Sequence, residues 1–361
     1  MKITEVELLE ANLRKDDPAW HFALGGTPAS NGYIVRLVGS EGIDGYGSCA
    51  AATYYGLSLG GLRAALELFV PLLVGRDPTD LEPILSDLDH ALSGHERAKA
   101  AIEIALHDLN ARTFEVPLFA LLGGLVRSSV PVVRILGLNP PAKVAQRAET
   151  LVNEGFRYLK IKLDGDVETD VARVRAVRER VGPDIHLTAD ANQSYVVKTA
   201  IRALRAMQPL GLELIEQPVH AEDVDGLRRV RNAVDVLVEA DESAHTLEAI
   251  ANLIHCEAVD SINLKIAHVG GLRKAKIAAG LCRAAGVNCR VSSTVGSQII
   301  SAATVHFFAS TPGLADPSEV GEWARLRDDP ASGLKVENGM IPVPLGHGLG
   351  VSVDQAKIDR M

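Results

Sequence analysis

Tyr158-Leu159-Lys160-Ile161-Lys162-Leu163 reads as a short strand, and the two-residue alternation of a strand sends Lys160 and Lys162 to the same face. Two ammonium groups this close repel, so they share a buried face only where something anionic meets them. Alone, the pattern also suits a solvated strand edge on which lysines discourage aggregation. The residues downstream decide between the two. Apolar runs end in turn at Asp190 (HLTADAN), Glu216 (LELIEQP), Asp241 (VLVEADE) and Lys265 (SINLKIA). The steps are 28 residues from Lys162 to Asp190, then 26, 25 and 24, each the length of a strand, loop, helix and loop. Helix-patterned segments fill the gaps at 166–181, 194–207, 221–233, 245–255 and 270–285. Parallel strands alternating with helices at a steady period predict a (β/α) barrel, in which functional groups sit at the C-terminal ends of strands.

With 130–136 (VPVVRIL) as the first strand, the lysine strand is the second. Asp190, Glu216 and Asp241 then close strands three to five, and Lys265 closes strand six. In a ring of eight, strands two and six are opposite. Three carboxylates on adjacent strands converge on a hard cation while lysines face each other across the mouth: a metal site between two bases.

The 361 residues suffice for two domains, and 47% hydrophobic with 23% charged residues describes an ordinary globular chain. A net charge of -9 without a basic patch argues against nucleic acid as a partner. No apolar run approaches membrane-spanning length, so no membrane partner is expected. Cys49, Cys256, Cys282 and Cys289 lack zinc-ligand spacing and follow no secretory signal, which suits reduced thiols in a cytoplasmic enzyme.

Residues 1–48 read as a three-stranded meander, interrupted at 14–31 by a polar stretch rich in Gly and Pro. Its Trp20, His21 and Phe22 either pack the loop on its own domain or close over a substrate, with Gly25-Gly26 as hinge. A second candidate lid, 48–61 (SCAAATYYGLSLGG), carries Tyr54 and Tyr55. In 95–112, Ala98, Ile102, Ala105 and Leu109 form one helical stripe, and His107 and Asp108 read as packing residues. Past Lys265, strand seven ends near Ser293, and GLADPSE gives a short strand eight that is expected to carry Asp316 and Glu319 at the mouth. The expected organisation is an α+β cap at 1–125, the barrel at 126–320, and a tail at 321–361 that returns to the cap.

Three carboxylates with no thiolate or imidazole suit Mg²⁺ before Ca²⁺ or Zn²⁺, with Asn192, Glu239 and Glu242 as supporting neighbours. His268, three residues after Lys265, reads as structural. A metal between lysines suits removal of the proton next to a carboxylate, because the resulting enediolate needs positive charge on its oxygens. A lysine acts as base only if its pKa falls, and a neighbouring ammonium and cation are expected to lower it.

These residues resemble the enolase superfamily and, within it, the muconate lactonizing enzyme subgroup, alongside mandelate racemase. The matching stretches are KIK at 160–162, DAN at 190–192, EQP at 216–218, ADE at 240–242 and NLKIAHVGGL at 263–272. The resemblance implies a modified TIM barrel with an N-terminal cap completed by the tail, and a small-molecule carboxylate substrate. It also implies Mg²⁺ on Asp190, Glu216 and Asp241, bases at Lys162 and Lys265, and Lys160 polarising the substrate carboxylate. The segments 14–31 and 48–61 correspond to its specificity loops, and a homo-oligomer is expected by analogy. The overall reaction stays open among racemase or epimerase of an amino-acid-derived carboxylate, muconate-type cycloisomerase and syn dehydratase; a catalytically silent binding scaffold has no use for two opposed lysines. Dipeptide epimerases of the family carry an Asp-x-Asp pair on strand eight, where this chain reads Ala315-Asp316-Pro317-Ser318-Glu319.

Overall fold

The computed structural model describes residues 1–18, 20–358 and 360. The first three strands, β1 (Ile3–Arg14), β2 (Ala29–Gly39) and β3 (Asp44–Ala50), form an antiparallel meander in sequence order. Three helices follow: α1 (Leu59–Phe69), α2 (Leu81–Ala91) and α3 (Glu96–Thr113). The stripe Ala98, Ile102, Ala105 and Leu109 is buried as its spacing requires, but α3 is enclosed nearly all round, with Arg97, Lys99, Glu103 and Asp108 buried too. Glycine makes that enclosure possible. A Cβ on Gly47 of β3 would lie 1.8 Å from the Ala101 carbonyl oxygen, so helix and strand meet backbone to backbone.

After a short helix α4 (Leu118–Leu121) and strand β4 (Ser129–Pro131), seven parallel strands curl in sequence order: β5 (Val133–Leu136), β6 (Tyr158–Lys162), β7 (His186–Asp190), β8 (Leu212–Glu216), β9 (Leu237–Ala240), β10 (Ser261–Lys265) and β11 (Asn288–Ser292). Between them run α5 (Pro141–Asn153), α6 (Val167–Val181), α7 (Val197–Met207), α8 (Val224–Arg231), α9 (Leu247–His255) and α10 (Leu272–Ala285), with α11 (Gln298–Ser310) after the last. The expected strand eight is reduced to Ser318 and Glu319, which bridge Val132 and Ser292 in parallel and join the two edges of the sheet. Apolar side chains such as Leu159, Ile161, Leu187, Ile215, Val238 and Leu264 are fully or almost fully buried, as expected of strands covered on both faces.

Beyond Val320 the chain touches both units. Here β12 (Ala331–Ser332) pairs with β14 (Ser352–Val353), and β13 (Met340–Pro342) pairs with β4. Leu349 N–H donates to Asp108 of α3 at 2.8 Å, and Arg14 holds Asp328. Among the described residues no helix is long and apolar enough to cross a membrane. The four cysteines are free, three of them buried and Cys256 half-buried.

A carboxylate joins cap to barrel. Glu103 of α3 accepts the Arg273 N–H, in the first turn of α10, at 2.7 Å. Burial pushes its carboxyl up to about 7, which the Arg273 N–H and charge only partly offset. An unfolded glutamate releases its proton near 4.5, so this site contributes full stability below that pH and loses it as pH rises through 7. The expected loss from pH 5 to 8 is roughly 2–3 kcal/mol. Urea melts of Glu103→Gln should show that slope removed; equal slopes in both proteins would refute the assignment. Gly47→Ala should lower stability by about 1–3 kcal/mol through overpacking, and an unchanged urea midpoint would contradict the close approach.

Candidate active site

The parallel register sets the site. Lys162 lies opposite Asp190 across β6 and β7, and Asp190 opposite Glu216 across β7 and β8. Asp241 follows the end of β9, and Lys265 ends β10. Lys160, Lys162, Asp190, Glu216, Asp241 and Lys265 are all buried. With β6 second and β10 sixth in the ring, Lys162 and Lys265 stand on opposite sides, and both line one cavity of about 380 Å³.

Each lysine meets carboxylates. The Lys162 ammonium ion-pairs with Asp190 and donates to Asn192 Oδ1 at 2.9 Å. Lys265 pairs with Asp241. Lys160 donates to Glu216 at 2.7 Å, touches Glu319, and lies 3.9 Å from Asp190. Lys160 is 1% exposed, below the cavity that the other two lysines line.

The expectation is that one lysine of the pair, helped by a nearby cation, depresses the other; at Lys160 and Lys265 the carboxylates act in the opposite direction. Burial works against charge on Lys160, but Glu216, Glu319 and Asp190 outweigh it and hold the ammonium above its ordinary range. Lys265 is raised in the same way, with Asp241 and Glu216 overcoming burial. Glu216 falls below the usual carboxylate range, since Lys160, Lys265 and Lys162 overcome its burial. Asp241 goes up despite Lys265, because burial and the charges of Glu242 and Glu216 prevail. Burial and Asp190 push Glu242 up to about 7. Negative charge is therefore locally in excess around Asp241 and Glu242.

The expected supporting neighbours divide. Asn192 donates to Glu242 at 3.1 Å and links it to Lys162, so both belong to the site. Glu239 instead accepts from Ser261 and pairs with Arg290, and does not line the cavity. Asp316 corrects the sequence reading. It precedes the two bridging residues, is exposed, and pairs with Arg127 rather than facing the mouth. Glu319 does reach the site, but as a partner of Lys160. Ser293 lines the cavity.

The two lid segments meet as one roof. Ring centroids step from Trp20 to Phe22 (5.9 Å), Tyr54 (5.5 Å), Tyr55 (4.8 Å) and His268 (4.7 Å). Trp20 settles over the end of β5 because Gly137 has no side chain: a Cβ there would lie 2.5 Å from the indole Nε1. Phe22 covers Lys162, its centroid 5.2 Å from Nζ. Part of this roof is regular structure, since β1 extends to Arg14, β3 to Ala50, and Thr53–Tyr55 form a 3₁₀ turn. Arg97 escaped the sequence reading: it donates to the Ala50 carbonyl (2.8 Å) and to His268 Nε2 (2.7 Å), a bond that only the docking of cap on barrel creates.

Buried acids and lysines at opposed strand ends under an aromatic roof define a barrel enzyme that handles protons next to negative charge. Residues 3–123 match the family described as Mandelate racemase / muconate lactonizing enzyme, N-terminal domain, and residues 143–357 match Enolase C-terminal domain-like. An L-Ala-D/L-Glu epimerase from Bacillus subtilis is 33% identical, with 97% of each chain covered. The structure of N-succinyl Arg/Lys racemase from Bacillus cereus superposes with a TM-score of 0.96 at 30% identity, covering 100% of this chain and 98% of that one. A dipeptide epimerase from Enterococcus faecalis, solved with Mg and L-Leu-L-Tyr, gives 0.94 at 32% identity, covering 98% of this chain and 100% of that one. The chain belongs to the mandelate racemase/muconate lactonizing enzyme family of the enolase superfamily.

Among the described residues no three acidic, imidazole or thiolate groups converge as a coordination shell, because Asp190, Glu216 and Asp241 each turn to a lysine. Their chemistry nevertheless fits a hard divalent cation. The donors are all oxygen, four carboxylates (Asp190, Glu216, Asp241 and Glu319) pair with three lysines, and Glu242 Oε2 is buried without a hydrogen-bond partner.

Proposed function

We propose that this chain is a Mg²⁺-dependent racemase or epimerase that removes and returns the proton next to the carboxylate of an amino-acid derivative. The observation that carries this reading is the pair Lys162 and Lys265, which end opposite strands and line the same cavity. One lysine takes the proton from one face of the carbon, and the other delivers a proton to the opposite face, inverting the centre. Asp190, Glu216 and Asp241 would hold the cation, which when bound offers positive charge to the substrate carboxylate. Lys160, fixed between Glu216 and Glu319, keeps a permanent ammonium beneath the same position. The aromatic roof excludes water and orients the substrate.

The strand-eight region bears on the substrate. Asp316 points elsewhere and Glu319 is engaged by Lys160, so neither stands free to grip an ammonium group. This favours an amino acid whose amine is acylated over a dipeptide with a free amino terminus. Ser293, Thr294 and Val295 make a small, uncharged wall on that side.

Chiral chromatography of N-acyl amino acids should show racemisation abolished in both Lys162→Ala and Lys265→Ala, each retaining α-proton exchange on one enantiomer only. Full racemase activity in either variant would refute the two-base assignment. Mg²⁺ at 100 times its Kd should stabilise the protein by about 2.7 kcal/mol in thermal melts, and Asp190→Asn should need far more Mg²⁺ for the same effect. A variant as responsive as the parent would remove Asp190 from the metal site.

A further inference from the structure

The two lysines are held by different parts of the molecule. Lys162 pairs with Asp190 and donates to Asn192, both of the barrel, and the Phe22 ring of the cap lies over it. Lys265 is followed by a tight turn in which the His268 N–H donates to the Lys265 carbonyl at 2.9 Å and the Gly271 N–H to Ile266 at 2.8 Å. The side chain of that turn, His268, is gripped by the cap. Arg97 of α3, 3% exposed, gives one guanidinium nitrogen to His268 Nε2 and another to the Ala50 carbonyl at the start of the Tyr54-Tyr55 segment. Its guanidinium carbon also lies 5.3 Å from the Tyr55 ring centroid, and Tyr55 packs edge-on against His268. Accepting from an arginine requires a neutral imidazole with its proton on Nδ1, so the bond fixes both the ring's tautomer and its orientation.

Neighbouring residues of α3 hold the same stretch of barrel. Glu96 pairs with Lys274 at 3.1 Å, and Glu103 accepts from Arg273. Asp89 of α2 bridges Lys99 and Lys274 at 2.9 and 3.0 Å. The cap thus clamps residues 268–274 through charged and hydrogen-bonding side chains, whereas it meets Lys162 through the Phe22 ring.

We infer that Arg97 is a positioning residue that aligns Lys265, through His268, with the lid segment carrying Tyr55, so that proton transfer on the Lys265 face depends on the Arg97–His268 contact while transfer on the Lys162 face does not. The inference rests on the two-lysine racemase reading and adds to it a residue and an asymmetry. Displacement of a base by about 1 Å is enough to slow its transfer by up to two orders of magnitude.

The test is solvent deuterium incorporation into each enantiomer of an N-acyl amino acid, measured separately with Mg²⁺ present. Lys162→Ala and Lys265→Ala first assign which enantiomer each lysine serves. In Arg97→Met, exchange from the Lys265 face should fall on the order of tenfold or more while the Lys162 face stays within about threefold. Arg97→Lys should recover part of the loss. His268→Leu approaches the same contact from the barrel side, leaves the cap helix intact, and should reproduce the asymmetry. Proportional loss on both faces, or none on either, in soluble Arg97→Met and His268→Leu protein overturns the inference alone. Absence of exchange in the unaltered enzyme across acylated amino acids overturns the racemase reading together with it.

Discussion

Charge buried at the barrel mouth is the constraint to which the rest of the structure answers. Five carboxylates and three ammonium groups leave water together, and none could do so singly without a large desolvation cost. The parallel register solves this by placing Lys162, Asp190 and Glu216 in a row on adjacent strands, with Lys265 approaching Asp241 from the next. The pairing is incomplete at Glu242, whose Oε2 is buried without a hydrogen-bond partner and whose carboxyl burial and Asp190 push up. A divalent cation would complete that balance. Asp190, Glu216 and Asp241 would hold such a cation, whose positive charge would favour loss of the proton from a lysine beside it.

The cap answers the other need, keeping water from a strongly charged site. Its aromatic row crosses from the end of β5 to the turn after Lys265, over a cavity large enough for an amino acid with a modest acyl group. The row stays in place because both ends are fixed to the barrel: Trp20 lies on Gly137, and Tyr55 packs against His268, which Arg97 holds. Lid and barrel are thereby joined in one contact surface, whose joint residues, Arg97 and Glu103, sit on the same cap helix.

The strand ends are legible in the sequence because an apolar run closed by a charged residue marks where a buried strand meets a polar site or solvent. Lys162, Asp190, Glu216, Asp241 and Lys265 repeat that mark at a nearly constant step, which scattered surface charges would not do. Strand eight is harder to read. Only Ser318 and Glu319 bridge their neighbours, so nothing in the sequence marks Asp316 as lying before the paired residues and facing Arg127. Glu319 lines the cavity, but its engagement with Lys160 depends on closure of the ring. Arg97 reads as one of several charges on an amphipathic helix. Its burial reflects enclosure of α3 on nearly every side, which a single hydrophobic stripe does not encode. The direction of the Lys160 and Lys265 shifts is hidden for a related reason: the sequence displays the neighbouring ammonium, and not the carboxylates that close around these two lysines.

The most direct measurement is proton NMR of the enzyme with Mg²⁺ in D₂O, on pools of N-acyl amino acids, dipeptides, proline derivatives and muconates. Loss of an α-proton signal from an acylated amino acid, with its skeleton unchanged, is the expected result. A new lactone or alkene signal, with no exchange of any amino-acid α-proton, would contradict the racemase and assign the opposed lysines to cycloisomerisation or dehydration.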